Sequence, residues 1–199
     1  MKKLFFWLSI LVAAWGYASI AQAAGDAQLL SKIANLAAKP EAMSANFTQT
    51  KQIKGFRSPA VSSGNIILAR QKGMLWRTLT PFQSVLKITE TGIVETQGNQ
   101  VNQIASGQGL KNVTKVMSSL LSGDFSDLQQ YFSYTGSIQS KSWVLHLTPK
   151  DSQMSRKISN IQLSGDSFVK RAVIYETNGD VSTIVFTNTR AISANGLTF

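Results

Sequence analysis

Cysteine is absent from the 199 residues. That excludes disulfides, thiol nucleophiles, thiolate-bound metals and a lipid-modified N-terminal cysteine together. There is one histidine, His146, which leaves almost no basis for an imidazole metal site or for a histidine-based catalytic centre. Acidic residues are few, 10 Asp and Glu against 20 Lys and Arg, for a formal charge of +10. In a cytosolic chain this excess would point to nucleic acid, because clustered cations release phosphate counterions. Phosphate-cradling glycine loops, the dinucleotide fingerprint and the nucleophile-elbow sequence are all missing. The carboxylates are scattered except for Asp124 and Asp127, which helix capping explains. These gaps make an enzyme the weakest class and imply no cofactor and no metal.

Long apolar runs are also scarce, and the one that exists opens the chain. Lys2 and Lys3 precede an apolar stretch from Leu4 through Ala14 and beyond, followed by Ala21-Gln22-Ala23. A basic start, a short apolar segment and a small-x-small end form the pattern that signal peptidase cuts. The expectation is a signal peptide over 1–23, cleaved after Ala23 rather than kept as a membrane anchor, and a single exported domain over 24–199, whose lack of cysteine suits a bacterial periplasm. No later stretch approaches the roughly 18 apolar residues that a membrane-spanning helix requires. An exported basic protein has no access to nucleic acid, so its charge would serve contact with an acidic partner or an anionic membrane surface. Lys51, Lys54 and Arg57 form the densest early basic cluster, read as a solvated strand end or as such a steering patch.

The mature segment opens with helical periodicity. Asp26 can cap a helix whose Leu29, Leu30, Ile33, Leu36 and Ala37 recur at spacings of three and four, with Pro40 beyond its end. From Ala45 the period becomes two, with strands expected at 64–70, 74–80, 83–89, 93–97 and 100–105, separated by Gly73, Pro81, Gly92 and Gly98. Helical spacing returns at Leu110, Val113, Val116, Met117, Leu120 and Leu121 until Gly123. A shorter helix capped by Asp124 or Ser126 is then expected to hold Leu128, Tyr131 and Phe132. After Tyr134 come strands at 143–147, 158–163, 169–176 and 181–187, the last two joined by Asn178-Gly179, a two-residue turn in which both positions favour positive φ. This order predicts a mainly β, α+β domain: a large curved antiparallel sheet with helices on its inner face. Several strands are apolar on both sides, as where Ile66 and Leu68 alternate with Ile67. A one-sided sheet would not need this. Either the outer face is partly covered or apolar surface is kept for a ligand, each buried CH₂ of an acyl chain contributing roughly 0.8 kcal/mol. A filled core explains the same pattern.

The residues resemble a family. Ala45-Asn46-Phe47-Thr48-Gln49 after an N-terminal helix, Gly64-Asn65-Ile66-Ile67-Leu68-Ala69-Arg70, Trp76 six residues later, Thr80-Pro81, Trp143 through Lys150, the Asn178-Gly179-Asp180 hairpin and the closing Leu197-Thr198-Phe199 are similar, in order, to the LolA-type periplasmic lipoprotein carriers. The resemblance implies an incompletely closed antiparallel β-barrel covered by α-helices around a hydrophobic cavity. It implies a monomeric carrier that takes lipoprotein acyl chains from an inner-membrane ATP-driven exporter and passes them to an outer-membrane acceptor lipoprotein, with only transient membrane-surface contact. The ligand-binding residues it suggests are Leu29, Ile33, Phe47, Ile66, Leu68, Arg70, Met74, Trp76, Leu110, Val113, Met117 and Leu120. In the family an inward arginine before the tryptophan holds the helical lid shut. Arg70 matches it, and alternation puts Arg70 on the face of Ile66 and Leu68. The competing expectation for Arg70 is a strand end that snorkels into water.

Three departures stand out. Gln71 replaces the family's usual proline, Met74 occupies a position often held by an aromatic, and the family's main carriers continue beyond the place of Phe199 into a further strand. They imply a divergent member serving another lipidated cargo or a dedicated lipid pathway. The same half-barrel also resembles envelope lipid- or lipoprotein-binding sensors that do not transport. A periplasmic binder of acidic polymers is a third reading of the charge.

Overall fold

The computed structural model describes residues 28–70, 72–106, 119, 123, 125 and 128–199, with the side chains of 104–106 left aside. The expected signal peptide, the Asp26 cap, Gln71 and the helix carrying Leu110, Val113, Met117 and Leu120 lie outside the described residues. Helix α1 covers residues 28–36 of the described chain. Its end is fixed to the sheet by the Ala38 N–H, which donates to the Ser167 carbonyl at 2.7 Å.

Eleven strands follow: β1 Ala42–Gln52, β2 Ala60–Ala69, β3 Gly73–Thr80, β4 Ser84–Ile88, β5 Gly92–Gln97, β6 Gln100–Ser106, β7 Phe132–Gln139, β8 Ser142–Pro149, β9 Ile158–Gly165, β10 Val169–Glu176 and β11 Val181–Ile192. Helix α2 is Leu128–Tyr131, and α3 is Ser152–Ser155, capped by Asp151, whose carboxylate accepts from the backbone N–H groups of Gln153 and Met154.

All eleven strands belong to one sheet in the order β6-β5-β4-β3-β2-β1-β11-β10-β9-β8-β7, and every described pair is antiparallel. Two meanders are thus joined where the first strand pairs the last. β6 and β7 remain as edges, so the sheet does not close into a barrel. Along each strand one parity faces inward. Met43, Phe47, Ile66, Leu68, Met74, Ile88, Trp143, Leu145, Leu147, Leu163 and Phe186 form one buried core with Leu30 and Ile33 of α1, as period-two alternation demands. His146 lies on the outward parity of β8 and is exposed.

The structure corrects three local expectations. Phe132 is not helical: it opens β7, opposite Pro149, while the preceding Tyr131 carbonyl accepts from the Lys150 N–H. The β7 pairing along β8 overrides the short helical period. The Asn178-Gly179 turn has one positive φ rather than two. Gly179 takes φ 92°, and Asn178 instead uses its side-chain oxygen to accept from the Asp180 N–H, which widens the loop. Lys51 is not a solvated strand end, being ion-paired at the same hairpin. On the outer face, Ile67, Leu75 and Val94 are half-buried, aligned across β2–β5 with Lys87 between them. Neighbouring side chains in that row, including the Lys87 stem, can cover one another, which accounts for apolar residues on both sides of β2 without a second layer.

Candidate functional site: the apolar inner face

Inside the sheet the apolar residues fall into two regions of unlike exposure. Around Trp143 the interior is sealed, although Tyr134, Ile138 and Ile174 at the margins of β7 and β10 are only partly buried. Trp143, Leu145, Leu147, Phe132 and Leu163 are at most 1% exposed, and Phe125 stacks edge-on against Trp143 with ring centroids 5.4 Å apart. The Trp143 indole N–H donates to the Asp166 carbonyl at 2.7 Å, so this polar group is satisfied in the core. Toward β3–β5 the inner face reaches solvent, because Trp76, Leu86 and Ile93 pack against the core yet are only partly buried.

Phe47 joins the two regions. Its ring lies 4.3 Å from that of Trp76, and Trp76 in turn meets Phe186 edge-on at 6.4 Å. Register produces this cluster: Phe47 is opposite Phe186 in the β1–β11 pair and opposite Gly64 in the β1–β2 pair, and Ile66 opposite Trp76 carries it to β3. Gly64 is required there. A Cβ at this position would overlap the Arg77 carbonyl oxygen and lie 3.0 Å from the Phe47 ring.

Of the residues expected from sequence, Ile33, Phe47, Ile66, Leu68 and Met74 are buried, whereas Leu29 and Trp76 are half-buried at the margin of the same core. Arg70 is the first residue past β2, half-buried, and its backbone N–H donates to the Glu41 carbonyl at 2.9 Å. Leu110, Val113, Met117 and Leu120 lie outside the described residues. Leu86, Ile93 and Phe186 were not expected. Leu86 was findable, since the hairpin after Trp76 places it opposite that residue. Phe186 was not, because its pairing with Phe47 spans the whole domain.

At one end of the sheet the Lys51 ammonium lies 2.7 Å from Glu176 and 3.5 Å from Asp180. The Lys51 pKa is raised above its ordinary 10.5, chiefly by the hydrogen bond to Glu176. Asp180 is held below its ordinary 3.8, first by the Lys54 backbone N–H and then by Asn178 and Lys51, against the opposing cost of burial. A depressed carboxylate stabilises the fold fully above pH 3.8, and that contribution is lost as pH falls through the lower folded value. The raised lysine contributes below pH 10.5 and loses its contribution as pH rises through the higher folded value. Asp180→Asn keeps an oxygen for the Lys54 N–H but removes the titration. Its urea midpoint should therefore lie below wild type near neutrality, and the two should converge as pH falls below about 4. An unchanged gap down to the acid transition would count against this assignment.

A sheet left open at two edges, wrapped on an apolar interior that is sealed on one side and partly open on the other, defines a half-barrel binding fold. Among the described residues no three His, Asp or Glu side chains come together to hold a metal, and no helix is long and apolar enough to cross a membrane. The chain belongs to the outer membrane lipoprotein carrier protein LolA family, whose model matches residues 38–196. Membership supports a lipid- or lipoprotein-binding role. No curated protein sequence matches the chain significantly. Among solved structures it is similar to a LolA superfamily protein from Nitrosomonas europaea, at 9% identity and TM-score 0.49, covering 84% of this chain and 94% of that one. A lipoprotein-sorting protein domain from Vibrio parahaemolyticus is similar at 9% identity and TM-score 0.46, covering 88% and 94%. The Mycobacterium tuberculosis lipoprotein LppX is similar at 10% identity and TM-score 0.41, covering 85% and 100%.

Proposed function

We propose that this protein is an exported periplasmic carrier that binds the acyl chains of lipoproteins, or of a related lipid, against the inner face of its sheet and shuttles them from the inner to the outer membrane. Residues 1–23 serve as the leader and 24–199 as the carrier domain. The observation that carries the reading is the half-buried row Trp76, Leu86 and Ile93, contiguous with a sealed core in a member of a lipoprotein-carrier family. Apolar inner-face side chains that keep contact with water gain when an acyl chain covers them. Phe47, Ile66, Leu68, Met74 and Ile33 form the floor against which the chain lies, and Leu29 borders it. Arg70 ties the covering helices over the sheet, and Leu110, Val113, Met117 and Leu120 contribute the covering face. The partners are an ATP-driven inner-membrane exporter and an outer-membrane acceptor lipoprotein, and the carrier acts as a monomer without cofactor.

A fluorescent fatty acid should bind saturably at micromolar concentration and quench tryptophan emission, with Trp76→Phe losing most of the quench while Trp143 keeps its signal. Absence of saturable binding would falsify the carrier reading. Mass spectrometry of lipids extracted from protein purified natively from its own envelope identifies the cargo class.

A further inference from the structure

Antiparallel neighbours reverse direction at every turn, so the β1–β2, β3–β4 and β5–β6 connections must all fall at one end of the sheet. That end carries the large apolar side chains most open to water. Phe56 in the first connection is 66% exposed, Phe82 in the second 73%, and Val101 at the start of β6 67%. Single exposed apolar residues are ordinary, but this rim gathers them on or beside three connections that share one end of the sheet. Phe56 sits on a built turn. Its N–H donates to the Ile53 carbonyl at 3.0 Å, its own carbonyl accepts from the Gln52 side-chain amide at 2.8 Å, and Gly55 takes φ 90°. A turn fixed at both ends holds the phenyl ring in water at a cost that the free protein does not recover.

The charge at this rim is one-sided. Glu176 and Asp180, the acids of the neighbouring hairpin, are engaged by Lys51, and Asp180 also accepts from the Lys54 backbone N–H. The Lys54 and Arg57 side chains flanking Phe56 are exposed and have no acidic partner among the described residues. A phenyl ring flanked by unpaired cations, with a second exposed ring at the same end of the sheet, matches the interface of a bilayer with anionic headgroups: rings enter the headgroup–acyl boundary while cations meet phosphates. An acidic protein would pair with the cations but would gain less from rings projecting from separate loops.

We propose that this rim, built on Phe56 and Phe82 with Lys54 and Arg57, is the edge by which the protein docks reversibly on an anionic phospholipid surface. It stands independently of what the interior binds. The test uses the protein purified from cells that export it, in the form the cell processes, sedimented with vesicles of phosphatidylglycerol and phosphatidylethanolamine or with vesicles of phosphatidylcholine alone. Wild type should sediment with the anionic vesicles at low salt, weaken near physiological salt and stay in the supernatant with neutral ones. K54Q/R57Q should lower low-salt partitioning about fivefold per charge removed. F56S/F82S should lower the salt-resistant remainder on the order of tenfold. Both variants change exposed side chains and should keep the wild-type melting temperature and fatty-acid-probe affinity, so a docking defect with intact probe binding isolates the rim. Equal binding to neutral vesicles, a wild type that never sediments, or variants that sediment like wild type would each overturn the proposal. Failure of the probe to bind a wild type that still docks would sink the carrier reading and leave the rim standing.

Discussion

Replacing Trp143 with alanine is expected to cost about 3–5 kcal/mol, the range for emptying a fully buried aromatic site. The side chain is 1% exposed, packs edge-on against Phe125 and satisfies the Asp166 carbonyl. Its loss leaves a cavity on the inner face of β8 beside Phe125, with the Asp166 carbonyl stripped of its donor, and both effects destabilise in the same direction. Trp76→Ala should behave differently. Trp76 is partly buried, with water already on one side, so its removal should cost roughly half as much or less. It should nevertheless abolish most fatty-acid-probe binding, because it removes the ring that bridges Phe47 and Phe186 at the open margin. Urea unfolding followed by circular dichroism gives the first quantity and probe titration the second. If Trp76→Ala proves as destabilising as Trp143→Ala, the division into a sealed and an open half is wrong.

Gly64→Val should be the most damaging small-residue change in the sheet, at roughly 3 kcal/mol or more. The new Cβ would overlap the Arg77 carbonyl oxygen, and the backbone there cannot yield without breaking the β2–β3 register. The same atom presses on the Phe47 ring, so displacement passes directly into the aromatic cluster. The expected readouts are a strong fall in the urea midpoint and altered near-ultraviolet circular dichroism, with probe binding lost even where the variant is still folded. A variant with wild-type midpoint and spectrum would mean that β3 can move away freely, and the close approach would then carry no structural weight.

How far the sequence alone determined this protein can be seen at particular residues. Period-two alternation was enough to put Ile66 and Leu68 on one face and to set His146 apart from Trp143, Leu145 and Leu147, but the structure decided which face is inward; glycine and proline positions separated β2 through β6 into a meander. The α1 stripe of Leu29, Leu30 and Ile33 was legible because helical spacing is a local property. Motif order was enough to identify the family. The boundaries of β1 and β11 were not legible. The structure starts β1 three residues before Ala45 and carries β11 five beyond Thr187, through a kink at Asn188 with φ 53°. What extends them is their mutual pairing across nearly the full length of the domain, an interaction with no local trace.

Phe132 shows the same limit, since pairing along β8 decided against the helical period. Most of the site belongs to this second category. Alternation marks Trp76 and Trp143 as equally inward. Only tertiary packing separates them, because Phe125 stacks over Trp143 in the core while Trp76, beside Phe47 and Phe186, stays partly in water. Likewise the sequence shows Lys54 and Arg57 as part of an early basic cluster, and Phe56 and Phe82 only as isolated loop residues. Their assembly on one rim follows from strand direction alternating along the sheet, because side-chain identity is set by sequence but shared location is set by pairing.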